Sequence, residues 1–121
     1  MSDQLEPRGP STQAVRTRIH EVAQTLRGSR SLSPEVQVAL AELLDELSAM
    51  LKEPNAPPAE VAHLAESAAH LAQTLHDHRD EGLVAKARER LGMAMFQAEA
   101  HAPTAVGLAR QVIDALANVG I

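Results

Sequence analysis

Histidine is the side chain with the most chemical range in this sequence, and there are six of them. His63 and His70 are seven residues apart, so on a helix they share one face about two turns apart. Glu66 lies between them and Asp77 continues the stripe. Imidazole and carboxylate on one face are ligands for zinc or another divalent ion, so His63, Glu66 and His70 form the candidate metal set. Two turns separate the imidazoles by about 10.5 Å along the axis, so a second helix or subunit has to complete such a site. Glu60-Val61-Ala62-His63 matches the Glu-x-x-His of di-iron bundles, which use two such motifs and two further Glu; only one is present.

The other histidines carry less. His76 and His78 point to different faces near a helix end, and His20 reads as a surface residue. His101 precedes the last helix, where free backbone N–H groups can hold an anion or a metal ligand. The expectation is plainer: His101 caps that helix and sets its approach angle. Arg88, Arg90 and Arg110 can hold an anion between helices, and each also suits i,i+4 pairing or simple exposure.

Catalytic sets are missing. There is no Cys, no Gly-x-Ser-x-Gly elbow and no Gly-rich phosphate loop, and no carboxylate pair stands out from ordinary surface charge. A non-enzymatic protein with no cofactor is expected.

The elements that position these residues follow from hydrophobic spacing. Val15, Ile19, Val22 and Leu26 step along one helical face, and Gly28 ends it. Ser33-Pro34-Glu35 is an N-cap, a first-turn proline and a dipole-matching acid, opening a helix to about Lys52. Val36, Leu40, Leu43, Leu47 and Met50 form its stripe, widened by Leu44 and Leu51. Residues 53–58 hold three prolines and make a turn. Val61, Leu64, Ala68, Leu71 and Leu75 mark a third helix from near Ala59. The next stripe, Val84, Ala87, Leu91, Ala94/Met95 and Ala98, is half a turn out of phase, so the chain is expected to break near Gly82.

Pro103 starts the last helix, whose face is Val106, Ala109, Val112/Ile113 and Leu116. Gly120 suits a left-handed C′ position, which directs Ile121 back onto Leu116 in a Schellman ending. The fold expected is all-α: an antiparallel bundle of four or five helices with short connections, residues 11–121, behind a disordered leader at 1–10.

Composition narrows the partners. Phe96 is the only aromatic residue, and it is expected to anchor the core. Its alternative is a soft patch of Met93, Met95 and Phe96 for a partner helix. A net charge of −5 with scattered Lys and Arg speaks against nucleic acid. No apolar run reaches the length of a membrane span, and a cytoplasmic location is the default.

The tail Leu116-Ala117-Asn118-Val119-Gly120-Ile121, with Ser33-Pro34-Glu35 and the Leu40–Leu51 helix, resembles the DUF4404 family of short bacterial proteins of unknown function. The family's Phe-Glu-x-x-His-Pro junction has its counterpart in Phe96-Gln97-Ala98-Glu99-Ala100-His101-Ala102-Pro103. The resemblance spans Val15–Leu51 and Phe96–Ile121 and implies a helical fold without a known activity. The repeated apolar stripes, the Ala-rich makeup and the lack of a catalytic set point instead to a helical interaction or oligomerisation module, partnered by a second copy in a dimer or by another helical protein. The alternative is a bundle that binds a small molecule or metal through the third-helix histidines.

Overall fold

The computed structural model describes residues 12–29, 32–52, 59–77 and 80–120. The leader, the Pro-rich turn at 53–58, His78 and Ile121 lie outside the described residues. Among the described residues, five helices form an all-α bundle: α1 (Thr12–Arg27), α2 (Pro34–Leu51), α3 (Ala59–Asp77), α4 (Glu81–Ala98) and α5 (Pro103–Asn118).

Each helix starts or stops for a local reason. Ser33 is the N-cap of α2, its Oγ accepting from the Val36 N–H at 3.3 Å, with Pro34 in the first turn. The expected break near Gly82 is present: α3 is described to Asp77, and α4 begins at Glu81 with Asp80 as its N-cap. Asp80 Oδ1 accepts from the Gly82 N–H at 2.8 Å and the Leu83 N–H at 3.4 Å, so Gly82 lies inside the first turn of α4. At the end of α5, Gly120 has φ +82° and its N–H donates to Ala117 O at 3.1 Å. That is the C′ bond of a Schellman ending.

The packing closes around α2 and α3. Helix α2 touches α1, α3 and α5; α3 touches α1, α2 and α4; α4 is held between α3 and α5. Side chains across these seams fix opposite directions. Gln37, at the start of α2, donates to the Leu26 carbonyl near the end of α1. Asn118, at the end of α5, donates to Glu35 Oε2 at the start of α2 at 3.0 Å. Glu60, at the start of α3, lies 3.7 Å from His101 beyond the end of α4.

The core is aliphatic and rich in alanine. Val15, Ile19, Val22 and Leu26 of α1 meet Val36, Leu40, Leu43, Leu44 and Leu47 of α2 and Leu64, Ala68 and Leu71 of α3 in a single cluster. Leu91 and Ala94 of α4 and Val106, Val112 and Leu116 of α5 complete it. Small Ala side chains on α3, α4 and α5 let these helices approach closely, and each favours the helix. The main stripe residues of all five helices are thus covered within one chain. Phe96 corrects the sequence-based expectation: it is 82% exposed and contributes nothing to the core.

Candidate functional site

The third-helix histidines face a polar pocket in the cleft where α1, α3 and α4 converge. Arg18 from α1, His63, Glu66, Ser67 and His70 from α3, and Arg90 from α4 line a space of about 120 Å³. Every lining residue is polar, which sets this pocket apart from the core beside it. Helix geometry explains the convergence. Glu66, Ser67 and His70 lie within one turn, and His63 is one turn before Glu66 and Ser67. Arg18 neighbours the buried Ile19, and Arg90 neighbours the buried Leu91, so both arginines start from backbone pinned close to the cleft.

The electrostatics of the pocket are mixed. Two guanidinium groups and one carboxylate enter it, and no hydrogen bond or ion pair is found among Arg18, Glu66 and Arg90. Partial burial, then Arg90 and Arg18, hold His70 below the usual imidazole range, which favours its neutral form. Ser67 is 3% exposed, and its Oγ has no hydrogen-bond partner. A helical serine ordinarily satisfies its hydroxyl by bonding back to the carbonyl one turn earlier. Here that bond is not made.

His63, Glu66 and His70 are therefore brought to one cleft, together with two cations that their spacing did not announce. Among the described residues, no group of three or more His, Asp or Glu side chains is arranged to hold a metal ion. Asp77 is engaged elsewhere, accepting from Gln73 Nε2 at 2.6 Å. Arg90 was legible as a possible anion ligand; Arg18 was not, because only the packing of α1 across α3 reveals it. His101 does not cap α5. Ala102 is the N-cap, without a side-chain bond, and His101 instead faces Glu60. His20 is exposed and pairs with Gln24 at 3.2 Å.

A second feature lies on the outer side of α4. Met93 is 63% exposed and Phe96 82%. They are three residues apart and so are neighbours on adjacent turns. Val84, Ala87, Leu91, Ala94 and Ala98 are buried on the other side of the same helix. An open groove of about 540 Å³ runs beside it between α4 and α5, lined by residues including Arg88, Gly92, Met95 and Arg110.

The model of the family described as Domain of unknown function (DUF4404) matches residues 40–121. The chain belongs to the DUF4404 family. The DUF4404 match runs unbroken through α3 and α4 and begins within α2, so α1 and Ser33-Pro34-Glu35 lie before it. This differs from the two separate stretches on which the sequence resemblance was drawn. Of the pocket residues, only Arg18 comes from outside the DUF4404 segment. No curated protein and no solved structure matches the chain. Among the described residues, no helix is long and apolar enough to cross a membrane.

Proposed function

We propose that this protein is a non-enzymatic interaction module that pairs with a second copy of itself through the outer face of α4. The observation that carries the reading is Phe96, the one aromatic residue of the chain, held 82% exposed beside Met93. The stripes that a partner helix was expected to engage are used inside the bundle, so the surface for association has to lie elsewhere. Phe and Met are enriched at interface centres, where their large apolar area is removed from water.

Gly92 supports the same face. A glycine inside a helix costs about 1 kcal/mol against alanine, yet a Cβ built at Gly92 meets nothing within 4 Å. The fold of the single chain does not require glycine there. A helix from a second copy that comes close to the backbone does. Among the described residues, α4 sits between α3 and α5 and nothing packs on its far side, and a two-fold pair would place α4 against itself as an isologous interface.

Size-exclusion chromatography with light scattering at micromolar concentration tests this. The wild-type chain is expected to elute as a dimer and Phe96→Ser as a monomer. A monomeric wild-type protein overturns self-association.

A further inference from the structure

We infer that the cleft between α1, α3 and α4 is a binding site for hydrogen-bearing phosphate, with Arg18 and Arg90 as the charged clamps and Ser67 Oγ as the buried donor. This inference is independent of the outer face of α4. It rests on what the pocket contains and on what its groups lack.

Three features point to an anion and to its size. Arg18 and Arg90 reach the cleft from different helices, and neither is joined by an ion pair to the carboxylate that shares it. Guanidinium is the side chain best suited to bidentate contact with phosphate oxygens. At about 120 Å³ the space is well below the several hundred Å³ of sites for drug-sized ligands, yet has room for several waters. It takes one small, fully polar group. Ser67 lines the space with an unused, buried hydroxyl, and a buried hydroxyl without a partner costs free energy that a ligand oxygen recovers once that hydroxyl turns toward it.

Glu66 decides which anion. A carboxylate beside two arginines repels an anion unless that anion offers it a proton. Inorganic phosphate keeps at least one P–OH at neutral pH, and that hydroxyl donates to Glu66. Sulfate has none, and a phosphomonoester has lost its last proton above about pH 6. The imidazoles of His63 and His70 can each turn a ring N–H toward a phosphate oxygen. The set thus holds charge, donors and one acceptor in a single cleft.

Isothermal titration calorimetry of the full-length chain at pH 7.5 tests the inference, with inorganic phosphate, sulfate and methyl phosphate as separate titrants. Phosphate is expected to bind one per chain, at least tenfold more tightly than sulfate or methyl phosphate. Arg90→Gln and Ser67→Ala should each weaken phosphate at least tenfold, and Glu66→Gln should bring sulfate to within a few-fold of phosphate. Circular dichroism of each variant shows whether it is folded, and Arg18→Gln, at an exposed position, gives a second loss-of-clamp variant. Absence of phosphate binding, equal binding of sulfate, or unchanged affinity in folded Arg90→Gln and Arg18→Gln overturns the site.

Discussion

Met95 and Phe96 are adjacent in sequence and opposite in structure: Met95 is 8% exposed against the core, and Phe96 is 82% exposed on the far side of α4. The usual ranking of side chains by size and aromaticity would place Phe inward, but helix phase decides. Substituting the two should separate their roles. Met95→Ala leaves a cavity and is expected to lower unfolding free energy by about 2 kcal/mol or more. Phe96→Ser should change monomer stability by less than about 0.5 kcal/mol, as for an ordinary surface position. Urea denaturation followed by circular dichroism, at concentrations low enough to keep both variants monomeric, reads both values. A large loss in Phe96→Ser would mean that the ring supports the fold.

Two side-chain caps define where α2 and α4 begin, and each is a separate test. Ser33→Ala removes the acceptor for the Val36 N–H, and Asp80→Ala removes the acceptor for the Gly82 and Leu83 N–H groups. Each is expected to cost about 1 kcal/mol in the same denaturation measurement. A neutral Asp80→Ala would indicate that α3 and α4 join without a capped break.

These caps also show what the sequence made legible. Ser33-Pro34-Glu35 is a contiguous signature with a known physical cause, and the helix starts there. Asp80 stands in the charged run His78-Arg79-Asp80-Glu81, so its capping role is hidden there, and the change of stripe phase near Gly82 shows the break but not the residue that caps it. The buried stripes read directly because period 3.6 identifies a face without reference to its partner. The polar pocket read only in part. His63, Glu66 and His70 share a face by spacing, whereas Arg18 reaches them only through the crossing of α1 over α3, which no local pattern encodes. Phe96 faces outward because its phase relative to the buried Leu91 and Ala98 overrides the preference of an aromatic side chain for the core.

Gly120 closes α5 with φ +82°, a conformation that a Cβ disfavours, although nothing lies within 4 Å of that Cβ. Strain, and not crowding, therefore sets the cost of substitution. Gly120→Ala is expected to destabilise by about 1 kcal/mol, near the penalty for a left-handed non-glycine residue. Thermal unfolding of the variant should show the matching fall in Tm. An unchanged Tm would mean that the end of α5 contributes nothing to the cooperative unit.

His70 couples the polar pocket to pH. Partial burial and the charges of Arg90 and Arg18 lower its pKa in the folded chain from the ordinary 6.5. The unfolded chain therefore takes up a proton at His70 at a higher pH than the folded chain does. Stability rises with pH wherever the unfolded state holds more protons, so this residue's contribution is full above about pH 6.5 and declines as pH falls through that value. The decline ends once the folded imidazole is protonated as well. Tm should fall between pH 7.5 and pH 5.5, and His70→Gln, which cannot take up the proton, should flatten that fall. His63 and Glu66 face the same cleft and are retained in the variant, so the difference between the two curves isolates His70. Identical pH dependence in wild type and variant would show that neither burial nor Arg90 and Arg18 lower the pKa of this imidazole.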